Sequence, residues 1–182
     1  PFDNAGYLDV APEDKGENIR REICLTLEQM GITPESSHHE EGPGQNEIDF
    51  HYSDPLIAAD NAETFKWIVR TKAASNGLFA DFSPKPLSNQ AGSGLHINIS
   101  CSDNSKMQNV LAGIIKHAEE ITYFLNSTEE SYNRLGEHKA PKYICWGSEN
   151  RSAFIRVPAS KNSTRLEGRS ADSECNPYIA FT

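Results

Sequence analysis

No apolar run in this sequence approaches the ~20 residues that a helix needs to cross a bilayer, and the opening PFDNAGYLDV lacks the basic and apolar segments of a signal peptide. The expectation is a cytoplasmic protein with no membrane partner. Cysteine is scarce and scattered. Cys24, Cys101, Cys145 and Cys175 form no CxxC pair, which argues against a zinc knuckle or a disulfide framework and predicts reduced, mostly buried thiols. Bases are also in short supply: 17 Lys and Arg face 26 Asp and Glu, a net charge of -9. That balance argues against nucleic acid as a partner unless the bases are concentrated somewhere. Internal repeats and low-complexity linkers are absent too.

What is present suffices for one core, or for part of a larger domain. The chain begins at Pro1 without methionine and stops in the apolar run NPYIAFT, so it reads as a piece of a longer protein. Ile19, Ile23, Leu27 and Met30 recur at helical spacing before Gly31 and predict a helix over 17–30. Ala58, Ala62, Phe65, Val69 and Ala73 predict a second over 55–75, stopped by Asn76-Gly77. Val110, Ile114, Ala118, Ile121 and Leu125 predict a third over 106–125. Between them QNEIDFHY, GLFADFSPK, SGLHINIS, SAFIRVP and TRLEGRS read as short extended segments. Helices and strands mix without βαβ alternation, which predicts an α+β fold with a largely antiparallel sheet flanked by helices.

In LHINIS a period of two sets Leu95, Ile97 and Ile99 on one strand face and His96, Asn98 and Ser100 on the other. The polar face is expected to look into a cleft. Gly92 and Gly94 just upstream allow close backbone approach to a ligand. The same period in TRLEGRS puts Arg165, Glu167 and Arg169 together. Alone, that is either a surface ladder or an anion site. The surrounding Arg151, Arg156 and Lys161 favour the anion site, because guanidinium is well matched to phosphate and carboxylate.

In SHHEEGPGQNEIDF, Gly42-Pro43-Gly44 forbids a helix, so Glu40 and Glu47 fall on two arms of a tight strand connection. Two facing carboxylates are unfavourable without a cation. One reading is a Mg²⁺ or Mn²⁺ site; the other is a solvated acidic hairpin, with His38 and His39 beside it rather than as ligands. Acidic ligands together with an arginine cluster are the parts that phosphoryl transfer uses.

KPLSNQAGSGLHINIS, residues 85–100, resembles the ATP-binding signature of glutamine synthetase. HHEEGPGQNEIDF, ESYNRL, NRSAFIRVP and RLEGRSADSECNPY are similar to further blocks of the bacterial type I enzyme, in the family's order. The resemblance spans nearly the whole chain. It implies a partial, incomplete catalytic domain over 1–182 with the glutamine synthetase/guanido kinase-like fold. The family's β-grasp domain and first metal-binding strand would lie before Pro1, and a further segment after Thr182. It implies ATP-dependent joining of ammonia to glutamate through γ-glutamyl phosphate, in a homo-oligomer whose full-length form is a ring dodecamer.

Carried over by motif, Glu40 and Glu47 would bind one metal, and His96 and Glu167 a second. Gly92 and Arg134 would hold glutamate, with Arg169 near its reacting end. Arg151 and Arg156 would neutralise the transferred phosphoryl group, and Asn98, Ser100, Arg151 and Arg165 would bind ATP. Three positions depart from the family. GEHKAP offers Lys139 where the family has a loop glutamate, with Glu137 the nearest acid; Ala91 stands for an asparagine and Ala171 for a proline. The first departure raises a second reading, a related ligase that uses another amine. A non-enzymatic descendant of the fold is the third.

Overall fold

The computed structural model describes residues 3–159 and 165–182, so Lys161 of the basic cluster lies outside the described residues. The chain forms two compact units, Pro1–Asp81 with Phe181–Thr182, and Phe82–Ala180.

The first unit holds helix α1 (Glu17–Gln29), strands β1 (Pro34–His39) and β2 (Asn46–Phe50), and helix α2 (Pro55–Ser75). Helix α1 buries Arg20, Ile23 and Leu27 and ends at Gly31, whose φ of 85° suits a residue without a Cβ. Met30, read as part of the apolar stripe, is 49% exposed. Proline at its first turn starts α2. Its buried residues are Ala59, Ala62, Ile68 and Ala73, and the expected Phe65 and Val69 pack half-buried against the same core. Strands β1 and β2 form an antiparallel hairpin. Ile23, Leu27, Ile32 and Ile68 make the core, closed by Ile48 and Phe50 from β2 and by Phe65.

The second unit carries β3 (Ile97–Ser100), α3 (Met107–Lys116), α4 (Ala118–Leu125), α5 (Glu129–Arg134), β4 (Trp146–Ser148), β5 (Ile155–Val157), β6 (Arg165–Gly168) and a short α6 (Pro177–Ala180). The sheet order is β3-β6-β5-β4, with β6 antiparallel to both neighbours and β4 parallel to β5. The largely antiparallel α+β expectation therefore holds, with one parallel edge pair added.

Three expectations need correction. The third helix is two helices, broken at His117, where the backbone turns to φ -105° and ψ 16°. The break divides one apolar stripe between two cores: Met107, Val110, Ile114 and Ala118 pack with Phe154, Ile155 and Leu166, whereas Ile121 and Leu125 pack with Ala171 and Cys175. GLFADFSPK is not a strand; Phe79 is 88% exposed, and Pro84 and Pro86 remove donors that a ladder needs. The cysteines are free as expected, but of the four only Cys175 is buried, and Cys145 is exposed.

Candidate active site

In the first unit the hairpin register sets His38 opposite Glu47 and His39 opposite Asn46. The turn between the strands closes through Glu40 N–H to the Gln45 carbonyl (2.8 Å) and Gln45 N–H to the Gly42 carbonyl (2.9 Å). Gly44 takes φ 68°, which glycine adopts freely. This geometry gathers His38, Glu40 and Glu47, each offering a ligand atom within 4.8 Å of the others. The sequence brings the two acids together and leaves His38 aside as a ligand; its place opposite Glu47 is a register fact that only strand pairing reveals. Burial first, then the facing carboxylates of Glu40 and Asp49, push the Glu47 carboxyl up to about 8. A cluster in which burial and neighbouring like charge hold one carboxyl high is chemically suited to a divalent cation. Two carboxylates and an imidazole can ligate a divalent cation.

In the second unit Glu167 is flanked in register by Asn98 of β3 and Arg156 of β5. Its Oε2 accepts from Arg156 Nη1 at 2.7 Å, and its Oε1 accepts from Arg169 Nη1. His96 Nδ1 stands 3.4 Å from the same Oε1. Burial alone would raise the Glu167 carboxyl, but His96, Arg169 and Arg156 together outweigh it and hold it below the usual carboxylate range. Here the expected grouping of acid, histidine and arginines is present in atomic detail.

Arg156 has a second carboxylate, since its Nη2 donates to Glu149 Oε2 at 3.0 Å. Burial lowers the Arg156 pKa, yet Glu149 and Glu167 reverse this and raise it. Glu149 was not anticipated. It sits at φ 55°, costly for a residue with a Cβ, and also accepts from the Ala159 N–H. Arg169 Nε donates to the Arg151 carbonyl at 2.6 Å, while Arg151 itself is exposed. Asn98, Ser100 and Arg165 are exposed on β3 and β6, with Ser100 opposite Arg165.

Gly92 and Arg134 are brought together closely: a Cβ on Gly92 would lie 2.5 Å from Arg134 Cγ. Thr128 and Ser131 form a capping box that starts α5 and carries Arg134 to its last turn. Arg134 is buried and donates through Nη2 to the Ser170 and Ala171 carbonyls. Lys139 is half-buried, and Glu137 lines a cavity of about 420 Å³ with Lys85, Ser88, Asn89, Glu130 and Asn133.

These features define an α+β domain whose sheets carry clustered carboxylates and guanidiniums, the groups that handle divalent cations and phosphates. Residues 1–182 match the model of the glutamine synthetase catalytic domain, and the chain belongs to that family. It is 46% identical over 196 aligned positions to a glutamine synthetase of Staphylococcus aureus (strain MW2), covering 98% of this chain and 44% of that protein. A glutamine synthetase of Staphylococcus epidermidis is 45% identical over the same extent. The chain thus spans less than half the length of the curated relatives it matches. Among solved structures it is similar to Plasmodium falciparum glutamine synthetase, at TM-score 0.90 and 32% identity over 98% of this chain and 38% of that one. It is also similar to ligand-free GmaS, at TM-score 0.83 and 30% identity over 96% of this chain and 44% of that one.

Proposed function

We propose that these residues are part of the catalytic domain of an ATP-dependent ligase that joins ammonia to glutamate. The carrying observation is Glu167, an acid held between Arg156 and Arg169 beside His96, in a chain of this family. A glutamate γ-carboxylate oxygen attacks the γ-phosphorus of ATP, the bond to the bridging oxygen breaks and ADP leaves. Ammonia then attacks the γ-carbonyl carbon, the bond to the phosphate oxygen breaks, and the nitrogen loses a proton to a base. Both steps develop anionic charge that preorganised guanidiniums stabilise.

Arg156 and Arg151 serve the transferring phosphoryl group, and Arg169 serves the carboxylate end. Gly92 and Arg134 hold glutamate, while Asn98, Ser100, Arg151 and Arg165 bind the nucleotide. Glu40 and Glu47, joined by His38, would hold one divalent cation, and His96 and Glu167 another; bound Mg²⁺ or Mn²⁺ supplies charge screening between ATP and the attacking carboxylate. The described residues offer each cation only part of a ligand set, so turnover belongs to the full-length homo-oligomer, a ring dodecamer in this reading, in the cytoplasm. Ammonia- and glutamate-dependent phosphate release by the full-length protein tests the proposal. ATP turnover that ignores both substrates overturns it.

Lys139 favours a second reading, in which the acceptor is another amine. A fixed positive charge repels ammonium and, while protonated, cannot take its proton. An amine panel separates the two readings: ordinary rates with ammonia dispose of the second, and preference for an alkylamine disposes of the first.

A further inference from the structure

His39 is completely buried, yet both its ring nitrogens are engaged. Nδ1 donates to the Glu40 carbonyl oxygen at 2.6 Å, since a carbonyl oxygen can only accept. Nε2 lies 2.9 Å from Asp3 Oδ1, and the same oxygen accepts from the Gly44 N–H at 2.9 Å. A third tie joins the His39 carbonyl to the Leu8 N–H at 3.0 Å. The Asp3 and His39 side chains therefore grip both ends of the turn from Glu40 to Gly44, the segment that presents Glu40 to Glu47.

Asp3, Asp14 and His39 could themselves be taken for a metal site, because their ligand atoms cluster. Asp14 of that trio already has its counter-charge from the chain. Arg20 meets both Asp14 oxygens, Nη2 to Oδ2 at 2.6 Å and Nη1 to Oδ1 at 3.1 Å, and the Gly16 N–H takes Oδ1 as well at 2.8 Å. Arg20 Nε also reaches Ser37 Oγ at 3.1 Å on β1, and its Nη1 meets Asn46 Oδ1, beside Glu47. The cluster is a satisfied network that ends on the hairpin, and satisfied networks fix geometry.

We propose that Asp3 and His39 are positioning residues for the hairpin cation site, locking the turn so that the Glu40 carboxylate stays in register with Glu47 and His38. This rests on reading Glu40 and Glu47 as cation ligands. The physical reason is that a hard cation rewards fixed ligand geometry, and partners that orient ligands from behind typically alter affinity by about 10–100-fold.

The test is titration of the full-length protein with Mn²⁺, following the electron paramagnetic resonance signal of the free ion. Glu40→Gln identifies the binding phase that belongs to the hairpin, and Glu167→Gln the other. Asp3→Ala is expected to weaken the hairpin phase by about 10–100-fold and leave the other unmoved. His39→Asn, which keeps a donor near Nδ1 but loses the link to Asp3, is expected to weaken the same phase. Asp3→Asn, which keeps an acceptor of the same size, should recover part of the affinity. Wild-type affinity in Asp3→Ala, or equal weakening of both phases, overturns the proposal. Should Asp3→Ala fail to fold, His39→Asn and Asp3→Asn decide the matter, and wild-type affinity in both overturns it. A Glu40→Gln protein that keeps both phases intact shows a different failure: the cation reading of the hairpin itself falls, and the positioning role with it.

Discussion

Arg156 and Glu167 face each other from register-paired positions on β5 and β6, with Nη1 and Oε2 2.7 Å apart. The other guanidinium nitrogen is held by Glu149, so the plane of the fork is fixed by two carboxylates. Lysine offers a point charge and cannot span both acids. Arg156→Lys in the full-length protein is expected to lower kcat for glutamate-dependent phosphate release by on the order of 10²-fold, with a smaller effect on the KM for ATP. An unchanged kcat would remove Arg156 from the phosphoryl-handling role.

Gly92→Ala places a Cβ 2.5 Å from Arg134 Cγ and 2.5 Å from the Pro84 carbonyl oxygen, closer than real contacts allow. The backbone or Arg134 must move, at a cost of about 1–3 kcal/mol in stability. The KM for glutamate should rise more than kcat falls, because Arg134 is displaced while the arginines at Glu167 are not. Steady-state kinetics together with a melting curve would check both parts.

Asp14 and Arg20 are sealed from solvent, with side-chain exposures of 1% and 7%. Asp14→Asn leaves the guanidinium buried without its counter-charge and should destabilise the first unit by about 3–5 kcal/mol. Urea denaturation followed by circular dichroism reads this directly.

Acid should act on the same pair. The hydrogen bonds from Arg20 outweigh burial and hold the Asp14 carboxyl below the usual carboxylate range. A lowered folded-state pKa gives stability that is present above the unfolded value and lost as pH falls through the folded one. The wild-type urea midpoint should therefore drop steeply below about pH 4, and Asp14→Asn should show a shallower acid limb.

Glu47 works in the opposite sense and in a different window. With its carboxyl pushed up to about 8, the folded hairpin keeps a proton that the unfolded chain releases. Cation-free stability should fall as pH rises from the ordinary carboxylate range toward 8. Because a bound cation must displace that proton, Mn²⁺ affinity should climb over the same range and level off above it. Calorimetry in buffers of different ionisation enthalpy would register the proton released; a flat profile would contradict the assignment.

The parts of the fold that depend on local chemistry were legible in the sequence. Gly31 and Asn76-Gly77 stop α1 and α2 where their patterns end, and a period of two correctly paired Glu167 with Arg169 and set Leu95 and Ile97 toward a core. The misses share a cause: they depend on pairings between elements that a local pattern does not reveal. The break at His117 is invisible because the apolar stripe runs through it unbroken, and its purpose shows only when the two cores are seen. Residues 77–85 have strand-like composition but no ladder to join. Asp3 and His39 are 36 positions apart, and Glu149 reaches Arg156 only through β4–β5 pairing, so neither relation has a sequence signature.

The two acidic clusters differ in where their counter-ions come from. Glu167 keeps guanidiniums tethered to the same polypeptide even when the cation proposed beside it is stripped away, whereas Glu40 and Glu47, in the proposed reading, rely on an ion borrowed from the medium. Storage in a chelating buffer should therefore age the molecule unevenly, loosening the hairpin while the arginine-lined sheet keeps its shape.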